Sequence, residues 1–110
     1  PPGSWHRDAY RSLVKLRKQA SKLSDGELAG QLSGLLRRIA VVRLGREQAA
    51  GLSGDAWLKW LQEQDPRAYD WPQKGRLLLT LPYAPATDSS DNKAELLELV
   101  RASVAWTAKR

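Results

Sequence analysis

Residues 7–39 read RDAYRSLVKLRKQASKLSDGELAGQLSGLLRRI, and this stretch predicts two helices joined by a tight turn. Leucine or alanine recurs every three or four residues on both sides of the turn, which is the spacing of one face of an α-helix. The apolar face of the first helix consists of Ala9, Leu13, Leu16, Ala20 and Leu23. The apolar face of the second consists of Leu28, Leu32, Leu35, Leu36 and Ile39. Both faces are predicted to be buried in one core.

The turn between these helices contains a strong sequence signal for the start of the second helix. Ser24 and Glu27 are spaced as a capping box, in which the hydroxyl accepts from the Glu27 N–H and the carboxylate accepts from the Ser24 N–H. Gly45 follows Leu44 and supplies the stop, since glycine readily adopts a positive φ. The first helix is therefore predicted at about residues 5–22, and the short connection requires the second helix to pack antiparallel to it.

A second stripe runs along the first helix beside its apolar face. Its members are basic, and we call them the basic face: Arg7, Arg11, Lys15, Lys18 and Lys22. The net charge of +6 is concentrated here, because residues 1–22 carry six bases and one acid while residues 23–110 carry twelve bases and eleven acids. A solvated helix surface is one interpretation. The functional interpretation is an anionic-surface binding site, for a membrane leaflet or for nucleic acid. Nucleic acid fits less well, because no aromatic residues or glycine loops interleave with the bases.

The remaining chain predicts further helices and an overall all-α fold. Short helices are expected at about residues 46–50 and at about 54–64, where Ser53-Gly54-Asp55 supplies the cap. Residues 65–76 are interpreted as a loop, and the apolar segment 77–81 is too short for its conformation to be predicted. A last helix ends at about Ala108. The prediction is a compact bundle of four to five helices in one domain, residues 5–110.

Glycines and tryptophans also call for an explanation. Gly26, Gly30 and Gly34 recur every four residues on the second helix, and we call them the glycine row. Each costs roughly 1 kcal/mol relative to alanine inside a helix. Either an exposed face tolerates them, or the glycine row and Arg37 form a groove for a partner helix or for another part of the chain.

Of the five tryptophans, at least three are expected to be ordinary packing residues.

Several function classes are excluded or disfavoured. The chain has no cysteine and one histidine, which excludes thiolate metal sites, disulfides and histidine clusters. The carboxylates that could serve acid–base catalysis are dispersed over predicted caps and loops: Asp55, Asp65, Asp70, Asp88 and Asp91. No phosphate-binding glycine loop and no nucleophile–base pair is present. We therefore expect no enzyme, no cofactor and no metal.

The N-terminus is informative about processing. Residues 1–4 are interpreted as a cloning scar, although removal of an initiator methionine before Pro1 would give the same start. No apolar run approaches the roughly 18 residues of a membrane span, and no signal peptide is recognisable. If a span once preceded Trp5, the basic face would lie where the cytoplasmic leaflet begins.

Several segments together resemble a known family. They are residues 6–11, 23–28, 35–40, 46–47, 52–58 and 77–79, the last followed by Pro82-Tyr83. The most specific is Leu-Ser-Gly-x-x-Trp-Leu, residues 52–58. The chain resembles small bacterial inner-membrane proteins of a domain-of-unknown-function family, encoded beside MoxR-type AAA+ ATPases and von Willebrand factor A proteins. It departs from that pattern in the glycine row, where alanine or leucine is more usual.

The resemblance implies a topology and a set of partners. Such proteins have a periplasmic N-terminus, one membrane span, a basic juxtamembrane stretch and a helical domain on the cytoplasmic face of the inner membrane. The chain is accordingly expected to be a non-catalytic interaction domain that helps to assemble the ATPase with its von Willebrand factor A partners, near anionic lipid. The alternative is a small basic helical domain that binds nucleic acid or regulates another protein.

Overall fold

The computed structural model describes residues 4–85 and 91–108, and these residues contain helices and turns but no strands. The α-helices are α1 Ser4–Gln19, α2 Asp25–Leu44, α3 Arg46–Ala50, α4 Gly54–Gln64, α5 Trp71–Lys74, α6 Leu77–Thr80 and α7 Lys93–Ala108. Two 3-10 turns, Ala20–Lys22 and Leu81–Tyr83, follow α1 and α6 directly. The all-α prediction is confirmed. Residues 1–3 of the interpreted cloning scar lie outside the described residues, as does Asp88.

The predicted capping box at the start of α2 is confirmed. The Glu27 N–H donates to Ser24 Oγ at 3.1 Å, and the Ser24 N–H donates to Glu27 Oε1 at 2.8 Å. Hydrogen bonds to Ser24 lower the pKa of Glu27, because they stabilise its charged form. At the other end of α2, Gly45 has φ +88°, a conformation that a side chain would strain. The chain can therefore turn there into α3.

Helices α1, α2 and α7 form the core that positions the basic face. Residues near the start of α1 line a depression with residues near the end of α2, so the two helices are antiparallel as predicted. The start of α7 is fixed at the α1–α2 connection, where Lys93 Nζ donates to the carbonyls of Ala20 (3.0 Å) and Leu23 (2.6 Å). The Asn92 N–H donates to Asp25 Oδ2 at 2.7 Å. These contacts bind the last helix to the first two.

The segment between α4 and α7 differs from the sequence prediction. Residues 65–76 contain α5 rather than a continuous loop, because Asp70 caps that helix and Trp71 is fully buried at its start. The indole Nε1 of Trp71 donates to Asp65 Oδ2 at 3.0 Å. The segment 77–81 is helical, formed by α6 and the 3-10 turn after it. The predicted cap of α4 is wrong in one respect, since the Ser53 side chain makes no capping hydrogen bond.

At least three tryptophans were expected in the core, and the structure buries four. Four of the five indoles are buried: Trp57, Trp60, Trp71 and Trp106. Trp57 and Trp60 stack at 5.7 Å between ring centroids. Most of the tryptophans are therefore core residues, which leaves Trp5 as the partly exposed one.

Candidate functional site: the basic face and the α1/α2 groove

All five side chains of the basic face are exposed in the structure. The reason is the apolar face of the same helix, where Leu13, Leu16 and Ala20 are at most 2% exposed. Burial of that face against α2 and α7 turns the bases outward. Lys22 lies in the 3-10 turn, so the basic face continues past the end of α1.

The charge of the basic face is not compensated by other described residues. The two ion pairs found in residues 4–85 and 91–108 join Lys74 to Glu98 (3.6 Å) and Arg76 to Asp55 (2.8 Å), both remote in sequence from α1. Asp8, itself exposed, is the one acid of α1. Uncompensated bases on one surface produce a positive potential that attracts anions.

The end of the bundle where α1 begins combines aromatic, apolar and basic groups. The Trp5 ring stacks on His6 at 3.6 Å between centroids and lies edge-on to Trp106 at 6.5 Å. The Arg43 guanidinium lies 5.0 Å from the Trp5 ring centroid. Val42, beside Arg43 at the end of α2, is 63% exposed. This end therefore exposes an aromatic ring, an aliphatic side chain and a cation together.

The glycine row does not form a single groove. A Cβ on Gly26 would lie 3.5 Å from the carbonyl oxygen of Leu81, so this position packs against the chain's own 3-10 turn. A Cβ on Gly30 would meet no heavy atom of the described chain within 4 Å. Gly34 lines a depression between α1 and α2. Residues four apart on an α-helix are rotated by about 40° about its axis, so the three glycines face different surroundings.

Arg37, grouped with the glycine row by the sequence analysis, is used within the fold. Its Nη1 donates to the carbonyl oxygens of Leu52 (2.6 Å) and Ala49 (3.3 Å). Its guanidinium lies 3.9 Å from the centroid of a Trp57 ring. Burial lowers the pKa of Arg37, because desolvation disfavours the charged form. The side chain joins α2 to the segment between α3 and α4.

A groove between α1 and α2 was missed by sequence reasoning. Two depressions of about 410 and 190 Å³ share Ser12, Leu35 and Arg38 and together follow the seam of the helix pair. We call this the α1/α2 groove. Two antiparallel apolar faces predict such a seam. Ser12 has a small side chain and Gly34 has none, so neither residue fills the groove.

Each of the four described candidate carboxylates has a local contact within the fold. Asp55 pairs with Arg76, and Asp65 accepts from Trp71. Asp70 accepts from the Gln73 N–H at 3.3 Å, and Asp91 from the Lys93 N–H at 3.4 Å. No cluster of His, Asp or Glu in the described part of the chain could hold a metal ion.

Tyr69 is a further titratable group next to this region. Its ring lies edge-on to Trp71, with centroids 5.2 Å apart. Burial, together with the negative charge of Glu98, raises the pKa of Tyr69 to about 12.

Comparison with known families identifies the domain. The family model described as a domain of unknown function, DUF4381, matches residues 3–107. The chain belongs to the DUF4381 family. The matched region of this DUF4381 domain includes the basic face and the α1/α2 groove. Membership of a family of domains of unknown function is thus confirmed, while the ATPase partners and the membrane topology stay predictions.

No curated protein and no solved structure matches the chain. None of the described helices is both long enough and apolar enough to cross a bilayer.

Proposed function

We propose that this DUF4381 domain is a non-catalytic interaction domain tethered at the cytoplasmic face of the bacterial inner membrane. In this proposal it helps to assemble a MoxR-type AAA+ ATPase with von Willebrand factor A proteins. The observation that carries the proposal is the basic face, whose five exposed bases have no acidic partner among the described residues. The ATPase and its partners enter through the family resemblance alone.

The charge on the basic face is large enough to matter for lipid binding. A Lys or Arg close to an anionic leaflet contributes about 1 kcal/mol, and the attraction falls off within a Debye length. Five such residues on one helix face can approach a flat surface together. A membrane span before Trp5 would hold them at this distance permanently.

The end of the bundle at which α1 begins also suits a membrane surface. Tryptophan is enriched at the boundary between headgroups and hydrocarbon, and Lys or Arg on the cytoplasmic side follows the positive-inside rule. Trp5, Arg43 and the exposed Val42 lie together there. This juxtaposition supports an orientation with α1 toward the bilayer.

Partition onto lipid vesicles tests the lipid part of the proposal. The triple variant Arg7→Gln, Arg11→Gln, Lys18→Gln removes three bases of the basic face. A matched control, Lys59→Gln, Arg67→Gln, Arg101→Gln, removes three exposed bases from other parts of the chain and leaves the same net charge. On vesicles with one quarter anionic lipid at low salt, the first variant should bind roughly a hundredfold more weakly than the parent. The control should lose far less.

Two outcomes would contradict the lipid proposal. One is equal loss of vesicle binding in both triple variants, which would reflect net charge rather than the basic face. The other is binding to duplex DNA at physiological salt that exceeds vesicle binding, which would favour the nucleic-acid alternative.

Reconstitution tests the assembly part separately. A MoxR-type ATPase and von Willebrand factor A proteins would be purified and mixed with the domain, and the complexes sized by sedimentation velocity. The proposal predicts a larger complex when all components are present than when the domain is omitted. An identical distribution with and without the domain would refute the assembly role.

A further inference from the structure

We infer that the α1/α2 groove is the docking site for an acidic amphipathic helix of a partner protein. This inference deepens the proposed function, because it specifies the surface and the partner chemistry of the assembly role. It rests on that role and not on lipid binding. The argument uses the shape of the groove, its lining and its charge.

The groove is long enough for a helix. Its α1 side runs from Trp5 to Gln19, and its α2 side from Gln31 to Val42. At 1.5 Å per residue, the α1 side is about 21 Å long, the length of a helix of roughly 14 residues. Recognition of a helix in a groove uses apolar anchors spaced along one face of the ligand.

The lining of the groove is apolar at its base. Leu16 and Ile39 are buried, and Leu35 is partly buried between them. Gly34 presents no side chain, and a Cβ at this position would meet no heavy atom of the described chain within 4 Å. The space beside Gly34 is therefore open to a ligand, whose backbone can come close to α2.

The charges along the groove specify an acidic ligand. Lys15 and Arg38 stand on its two sides, both exposed, and neither makes an ion pair or hydrogen bond with a described residue. Asp8, near one end, is the only acid in the lining. Glutamates or aspartates that flank the apolar anchors of a ligand helix would pair with both cations.

The groove faces a different side of α1 from the basic face. Taking 100° per residue, the groove side of α1 lies about a quarter turn from the centre of the basic face. Lys15 is the one residue of the basic face in the lining, and Trp5 and Val42 lie at the end of the groove nearest the proposed bilayer. A flat bilayer would contact the convex basic face, whereas a recessed apolar seam is suited to a helix.

The test uses three synthetic 14-residue peptides with leucines at helical spacing and glutamate, glutamine or lysine at the flanking positions. Binding is followed by the backbone amide resonances of the isotope-labelled domain. The acidic peptide should bind most tightly and the basic peptide most weakly, with the largest shifts at Ser12, Leu35 and Arg38. Equal affinity of the three peptides, or shifts confined to other helices, would overturn the inference.

Matched variants locate the site. Gly34→Leu places a side chain in the groove and should weaken binding of the acidic peptide at least about tenfold. Gly30→Leu is the same change one turn earlier, outside the lining, and should leave affinity within about twofold. Arg38→Glu reverses a rim charge, so the lost attraction and the new repulsion should together weaken binding of the acidic peptide at least about fivefold. Equal effects of the two leucine variants would refute the assignment.

The vesicle assay separates this inference from the lipid proposal. Gly34→Leu should bind anionic vesicles as the parent does, since it leaves the basic face intact. Peptide binding without vesicle binding would refute the lipid role alone, and vesicle binding without peptide binding would refute the groove assignment alone. Self-association of the parent that Gly34→Leu abolishes would also overturn the inference, because the occupant would then be a second copy of the chain.

Discussion

The α1–α2 helix pair and the segment from Leu52 to Tyr83 use their charged residues in different ways. In the helix pair the bases of the basic face, together with Arg38, have no partner among the described residues. In the later segment, four polar or charged side chains hold the fold through the contacts of Asp65 with Trp71 and of Asp55 with Arg76. The proposed binding surface therefore consists of bases without ion-pair partners in the described part of the chain, while the Asp65 and Asp55 contacts stabilise the later segment.

The largest expected effect concerns Asp65 in the later segment. Its carboxylate is 4% exposed and accepts from Trp71 Nε1 (3.0 Å) and from the Arg67 N–H (2.9 Å). Asp65→Ala should lower the free energy of unfolding by about 3 kcal/mol, because it leaves a buried indole N–H without an acceptor. Urea denaturation would measure this loss. A loss below about 1 kcal/mol would contradict a structural role for this carboxylate.

Two adjacent arginines of α2 allow a direct comparison between a charged residue that holds the fold and one that makes no hydrogen bond or ion pair with a described residue. Arg37 donates to two backbone carbonyls and lies over Trp57, whereas Arg38 is exposed at the groove. Arg37→Ala should cost about 2 kcal/mol of stability. Arg38→Ala should change stability by at most about 0.5 kcal/mol. Equal destabilisation of the two variants, measured by urea denaturation, would refute the division between structural and binding residues.

A smaller effect is expected at the capping box of α2. Ser24→Ala should destabilise the domain by about 1 kcal/mol near neutral pH. The pKa of Glu27 is lowered from 4.5 in the folded state, so its contribution is present above that value and is lost as the pH falls through the folded pKa. The difference between Ser24→Ala and the parent should therefore shrink in acid. Thermal unfolding at pH 7 and pH 3 tests this, and a difference that grows in acid would be the wrong sign.

The smallest effect is a stabilisation at Gly30. A Cβ here meets no heavy atom of the described chain within 4 Å, so alanine adds helix propensity without a clash. Gly30→Ala should raise the free energy of unfolding by roughly 0.5–1 kcal/mol. A rise in the melting temperature would show it, and a fall would mean that the backbone at this position needs glycine.

The helix pair was predictable from sequence because its signals are local. The capping box of Ser24 and Glu27 and the spacing of the leucines depend on residues a few positions apart. The later segment was predicted less well, since α5 depends on contacts across the segment. The bond from Trp71 to Asp65 joins residues on either side of a turn where Ala68 has φ +51°. No periodicity in residues 65–76 indicates that turn.

The candidate site was likewise predictable in part. The spacing of the bases on α1 predicted an exposed basic face, because burial of the leucines fixes which side of the helix meets water. The glycine row was a poorer guide. Spacing alone could not show that Gly26 packs against Leu81, that Arg37 contacts Trp57, or that Gly34 opens into a groove. Those placements depend on how α2 is oriented against three neighbouring elements.

The most direct test of the account is residue-resolved contact with lipid. The isotope-labelled domain is mixed with anionic vesicles that carry a paramagnetic headgroup, and broadening of each backbone amide resonance is measured. The account predicts strong broadening at Arg7, Arg11 and Lys18, and little in α4. Broadening centred on α4, with α1 unaffected, would contradict the claim that the basic face is the surface that binds lipid.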